Sequence, residues 1–151
     1  MTASPPPSCW VAWCDGSAVP NPGRMGLGVL LVAPDGSRHA ISQATHTVGC
    51  NNEAELRALM AAVSEARTRG ATTLQIYSDN SVVVSQLRDA LAEPIARLAP
   101  LFDEARMLLN GFDRVSVEWV PRHRNRDADA LARAALGMAP KVITKPWKRR
   151  R

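Results

Sequence analysis

The sequence predicts an α/β domain on a mixed five-stranded sheet, with elements in the order βββαβααβα. Three observations carry this reading. Two apolar, β-prone runs flank an Asp35-Gly36 turn signal, and apolar residues recur at helical spacing from Asn51 onward. Beyond Gly70, strand-like and helix-like runs alternate. With 151 residues, 46% hydrophobic and 22% charged, the chain has the size and composition of one globular domain.

The elements follow in order. Residues 1–8 read as a disordered, proline-rich leader, 9–139 as the folded domain and 140–151 as a basic tail. The run WVAWC (10–14) suggests a strand that stops at the turn signal Asp15-Gly16-Ser17, and PNPGRMG reads as a loop. GLGVLLVAP is a buried strand, broken at Asp35-Gly36, and SRHAISQAT returns as its hairpin partner. Asn51-Asn52 opens a helix whose Leu56, Leu59, Met60 and Val63 fall at i, i+3, i+4 and i+7, and Gly70 ends it. TTLQIYS is a strand and SVVVSQLRDAL a short helix. EPIARLAPLFDEARMLLNG gives one or two further helices, with Pro100 a place where the segment splits. RVSVEWVP alternates as a strand. A last helix runs from Asp127 to Leu136, with Ala128, Leu131, Ala132 and Ala135 on one face.

Several function classes drop out. No apolar run reaches the roughly 18–20 residues of a membrane helix, and the N-terminal stretch lacks the form of a secretory signal. Three cysteines without a C-x-x-C pair argue against a zinc site or a disulfide framework, which makes a reducing cytoplasm the default. The net charge of +5 is unevenly placed. Residues 141–151 hold six cations and no acid, whereas the rest carries 13 arginines, no lysine and 14 acids. A second basic cluster, Arg122, Arg124 and Arg126, lies in PRHRNR. Two basic patches on a nearly neutral body suit either a polyanion partner or a solvated tail.

Four carboxylates sit at element boundaries. Each alone has a structural reading: Asp15 in an Asx turn, Glu55 in a capping box with Asn52, Asp79 as a helix cap, and Asp129 favouring a helix dipole. Together they read differently. Asp15 and Asp79 each end a buried strand, so both leave the sheet at one end if those strands run parallel, where ligand sites of open α/β sheets collect. Clustered acids repel unless a cation neutralises them, and hard divalent ions take oxygen ligands. Acids beside basic patches suit metal-assisted phosphodiester chemistry.

In this setting DGSAVPNPGRMGLG, NNEAEL, YSDNS and WVPRHRNRDADALA resemble ribonuclease H of type 1, over residues from about Trp10 to Ala135. The resemblance implies the ribonuclease H-like fold and cleavage of the RNA strand of an RNA–DNA hybrid, leaving 5′-phosphate and 3′-hydroxyl ends. It implies two ions, Mg2+ or Mn2+. Asp15 would bridge both, Asp129 would join it at the ion holding the attacking water, and Glu55 and Asp79 would complete the ion at the leaving 3′ oxygen. Glu53 is the rival to Glu55, but the family's pattern selects the second acid after the asparagine pair. Gly16, Ser17, Asn21, Asn51 and Asn52 would line the hybrid's minor groove, and the asparagine pair serves equally as the cap of the long helix. The expected partner is the hybrid, with no membrane and a monomeric chain.

Two departures from the family stand out. The segment between the third acid and the last strand is short, without lysine or tryptophan, so the usual basic handle is missing; the tail, with Trp147, is the expected substitute, and Arg122 and Arg124 are further candidate substrate contacts. The histidine of the loop before the last acid is represented by His123, six residues ahead of Asp129, which reads either as an aid to water activation and product release or, preferably, as an ordinary exposed histidine. The alternatives are a catalytically silent hybrid-binding module, which the full set of acids disfavours, and a DNA-cutting nuclease of the same superfamily, which the asparagine pair disfavours.

Overall fold

The computed structural model describes residues 8–89 and 91–139; the tail with Trp147, and the leader before Ser8, lie outside the described residues. Five strands form one sheet in the order β3-β2-β1-β4-β5: β1 (Trp10–Val19), β2 (Gly23–Val32), β3 (Arg38–Gly49), β4 (Thr73–Ser78) and β5 (Arg114–Trp119). The first three pair antiparallel, while β4 pairs parallel with β1 and with β5, so the sheet is mixed as the sequence predicts. Gly36 adopts φ +89° in the turn between β2 and β3, a conformation that glycine takes without steric cost.

Strand β1 does not stop at Asp15. Asp-Gly-Ser is a turn signal in isolation, but here Asp15 pairs with Gly28 and the ladder continues to Val19 opposite Arg24. Pairing with β2 overrides the local preference. On its other side β1 is paired only as far as Cys14, opposite Ser78 where β4 ends. Asp15 therefore lies at the first position where one flank of the central strand is open.

Helix α1 (Asn51–Thr68) packs on one face through Leu56, Leu59 and Val63 with Ala58, Ala62 and Ala66, all fully buried; Met60 is only half-buried. Its N-cap is Cys50, whose Sγ accepts from the Glu53 N–H at 3.4 Å. The capping box expected from Asn52 and Glu55 is therefore absent, and Asn51 and Asn52 form the first helical turn instead. Helix α2 (Ser81–Arg88) and helix α3 (Ala99–Leu109) complete this layer, with a single 3-10 turn at Ala96–Leu98. Pro100 stands in the first turn of α3, where its missing N–H costs nothing. Leu74, Ile76 and Phe102 join α1 in the core.

Helix α4 (Arg126–Ala135) covers the opposite face. Paired residues of neighbouring strands point the same way, so Gly28 shares the face of Asp15, and Gly16 shares the other. Both glycines are contact points for helix backbone. A Cβ on Gly16 would lie 2.2 Å from the Ala54 carbonyl carbon of α1, and one on Gly28 would lie 2.1 Å from the Ala128 carbonyl oxygen of α4. The sheet is thus pinched at one end between two helices that touch its main chain directly.

Gly28→Ala should accordingly destabilise the fold by about 1–3 kcal/mol, because backbone rather than a flexible side chain must move. Urea denaturation measures this directly; a loss below about 0.5 kcal/mol would show that α4 does not press on β2.

Candidate active site

The pinch gathers acids from four elements. Asp15 comes from β1, Glu55 from the second turn of α1, Asp79 from the residue after β4, and Asp129 from the first turn of α4. Carboxylate oxygens of Asp15, Glu55 and Asp79 lie within 4.8 Å of one another. Asp129 lines the same cavity, of about 710 Å³, and its carboxylate faces Asp15 while pairing with Arg133 at 3.3 Å. The parallel register explains the first contact, since Cys14 opposite Ser78 sets Asp15 beside Asp79.

The helix-cap reading of Asp79 fails on geometry. Asn80 is the N-cap of α2, its Oδ1 accepting from the Val83 N–H at 3.0 Å. Asp79 is instead held from the other side by Asn125, whose Nδ2 donates to Asp79 Oδ2 at 3.3 Å and to the Cys14 carbonyl at 2.9 Å. Asn125 is 1% exposed and joins the start of α4 to the central strand. The Trp119 indole N–H adds a bond to the Asp79 carbonyl at 3.1 Å.

Asp15 and Glu55 are 5% and 6% exposed, and that burial dominates their titration. Burial, with the charges of Asp79 and Asp129 beside it, pushes the Asp15 carboxyl up to about 7. Burial again, then the hydrogen bond and charge of Asp15, holds Glu55 well above the usual carboxylate range, opposed by a hydrogen bond with the Gly16 backbone. Glu55 Oε2 is buried and has no hydrogen-bond partner among the described residues. Clustered carboxylates with an orphaned buried oxygen fit a divalent cation, which takes oxygen ligands and neutralises the group.

Other predicted residues divide between two places. Gly16, Ser17, Asn51, Asn52 and Arg122 line the acid cavity. Asn21 is exposed beside it, its Oδ1 accepting from the Asn51 N–H at 3.1 Å. Arg124 and His123 are exposed on a 3-10 turn (Arg122–Arg124) and line a separate groove with Trp13, so His123 is not brought to the acids. Arg126, the third member of the basic cluster, also lines the acid cavity, as do Arg133 and Asn80, which escape the sequence reading. Helical spacing from Asp129 was the available signal for Arg133; nothing local marks Asn125.

The cluster should burden the metal-free protein. A carboxyl raised from 3.8 to about 7 on folding stabilises below its unfolded value and loses that contribution as pH rises through about 7. Without metal, the melting temperature should fall between pH 5 and pH 8, and added magnesium should restore it. Asp15→Asn should flatten the dependence and raise the metal-free melting temperature at pH 8. A flat profile in the unsubstituted protein would mean that the acids are not forced together.

Comparison with known proteins agrees with this fold. A family model described as reverse transcriptase-like matches residues 13–135. A ribonuclease HI of Halobacterium salinarum is 38% identical over 127 residues, spanning 83% of this chain and 63% of that protein. A ribonuclease H of Roseobacter denitrificans is 34% identical over 152 residues, spanning 85% and 95%. A bifunctional protein of Mycobacterium tuberculosis matches at 36% identity, and there the chain spans only 35% of the relative's length. The crystal structure of RNase H1 from Halobacterium salinarum superposes with a TM-score of 0.80 at 35% identity, covering 85% of this chain and 98% of that one. An RNase H1 crystallised in complex with an RNA/DNA hybrid shares the fold, with a TM-score of 0.74 at 24% identity over 85% and 96%. The chain, with its mixed five-stranded sheet and its acids gathered at one end, belongs to the ribonuclease H-like family.

Proposed function

We propose that the protein is a metal-dependent endonuclease that hydrolyses the RNA strand of RNA–DNA hybrids, with Asp15, Glu55, Asp79 and Asp129 holding the metal. The observation that carries this is the convergence of carboxylates, two of them nearly fully buried, in a cavity rimmed by amides and arginines. Isolated buried acids are costly, and structural roles as caps are filled by Cys50 and Asn80 instead.

Asp15, Glu55, Asp79 and Asp129 would hold magnesium or manganese, two ions in all, and the metal would supply the charge that activates water and stabilises the departing oxygen. The protein's own groups do the rest. Asp15 sits at the centre, in contact with Glu55 on one side and facing Asp129 on the other. Asn125 holds Asp79 in place, and Arg133 steadies Asp129. Arg122 and Arg126 line the cavity and offer positive charge to the phosphates of the bound strand. Water oxygen bonds to phosphorus as the bond to the 3′ oxygen breaks; the water gives up a proton and the departing oxygen takes one from solvent, leaving a 5′-phosphate and a 3′-hydroxyl. Gly16, Ser17 and the asparagines face the minor groove, where RNA displays its 2′-hydroxyls.

The test is incubation with matched RNA–DNA, RNA–RNA and DNA–DNA duplexes, with and without magnesium or manganese. Only the RNA strand of the hybrid should be cut, and chelation should stop it. Asp15→Asn should lower the rate at least about a thousandfold, with large losses also for Glu55→Gln and Asp79→Asn. Near-normal rates for Asp15→Asn would refute the metal-site assignment, and efficient cutting of DNA–DNA duplex would refute the substrate.

The tail is proposed as the hybrid's basic handle, with Trp147 stacking among its cations. Deleting residues 141–151 should weaken hybrid binding and flatten the slope of log affinity against log salt by roughly 0.7–0.9 per lost phosphate contact. An unchanged slope would return that role to Arg122, Arg124 and Arg126.

A further inference from the structure

Asparagine side chains on the rim of the cleft are all locked in one sense. The Asn51 backbone N–H can only donate, so the Asn21 atom that meets it at 3.1 Å is the oxygen. The Ala18 N–H likewise fixes the Asn51 oxygen, at 2.9 Å. At Asn52 the constraint passes through one more residue. The Val83 N–H claims the Asn80 oxygen at 3.0 Å, so the Asn80 NH2 must face the other way, where it donates to Asn52 Oδ1 at 2.9 Å. Amide orientation is ordinarily open to assignment, but here every choice ends at a backbone donor that has no alternative role.

Each of Asn21, Asn51 and Asn52 therefore spends its carbonyl on the protein. None of their NH2 groups has a hydrogen-bond partner among the described residues. Asn51 and Asn52 line the acid cavity, and Asn21 stands beside them. What the rim offers a ligand through its side-chain amides is donors alone.

We propose that this rim reads only hydrogen-bond acceptors on its substrate, and that Asn80 is the positioning residue that fixes the reading direction at Asn52. The inference rests on the assignment of an RNA–DNA hybrid to the cleft. Minor-groove edges carry acceptors at every base pair, purine N3 and pyrimidine O2, and a donor only at the guanine 2-amino group. The ribose 2′-hydroxyl is then engaged through its oxygen. A guanine amino group that faces the rim sets donor against donor, and both are left unpaired. Asn52 cannot adapt by turning over, because its NH2 would then meet that of Asn80, and Asn80 cannot turn without uncapping α2. The cleft accordingly discriminates against guanine at the steps facing it, without any contact that recognises another base.

The test is competition between two hybrids cut in one reaction, which reads the ratio of their kcat/KM values. One hybrid carries adenine and the other 2,6-diaminopurine, which adds a minor-groove amino group, at a position scanned along the duplex. At the steps facing the rim the diaminopurine hybrid should be cut about fivefold to tenfold less efficiently, and replacing guanine by inosine at those steps should raise efficiency similarly. Asn80→Ser keeps a hydroxyl cap for α2 but frees the Asn52 amide, so its discrimination should shrink below about twofold. A general loss of activity in that variant cancels in the ratio. If the amides only scaffold the helix starts, the ratio will be uniform at every position; that result, or full discrimination in Asn80→Ser, overturns the inference while leaving hybrid cleavage intact. Failure to cut any hybrid overturns the proposed function and this inference with it.

Discussion

Everything at the functional end of this molecule depends on two helices touching the main chain of one sheet. Gly16 and Gly28 lie beside each other on the central pair of strands but face opposite ways, and each is roofed by helix backbone. Any Cβ there would intrude on a peptide group, so the helices could not settle at this depth. Because they do, Glu55 and Asp129 are delivered from opposite sides to an aspartate on the central strand. The open flank of β1 beyond Cys14, where β4 has ended, lets the carboxylates meet at the strand's edge rather than be separated by the sheet.

That arrangement runs against electrostatics. Buried carboxylates repel, and burial with mutual charge raises both central acids: Asp15 to about 7, and Glu55 well above the usual carboxylate range. A divalent cation would remove the conflict, with the same groups as its proposed ligands. The cost is local, because the layer of α1, α2 and α3 packs a continuous apolar core behind the site that owes nothing to the acids.

Asparagine is the joint that makes the site rigid. Asn125 ties α4 to β1 and Asp79, Asn80 ties α2 to α1, and Asn51 ties α1 back to β1. An amide donates and accepts at once, so it can satisfy a backbone group on one element while holding a side chain of the next. Carboxylates could not serve, since they only accept and would add charge to a site already crowded with it.

The sequence by itself determined the elements, their order and the acids. Periodicity in α1 and the alternation of strands and helices after Gly70 are local signals, whereas the parallel pairing of β1 with β4, only a condition in the sequence reading, is supplied by the sheet. Local signals also misled. Asp15-Gly16-Ser17 reads as a turn but continues as a strand because β2 pairs along it, and the caps expected at Asn52 and Asp79 belong to Cys50 and Asn80. Two kinds of feature were decided only by tertiary structure. Gly16 and Gly28 matter for what presses on them, and Asn125 for what it reaches across 111 positions of sequence at Cys14. A chain read residue by residue shows which groups are able to do chemistry; which of them are brought within hydrogen-bonding reach, and which way an amide must face, is fixed by contacts between segments that carry no trace of one another.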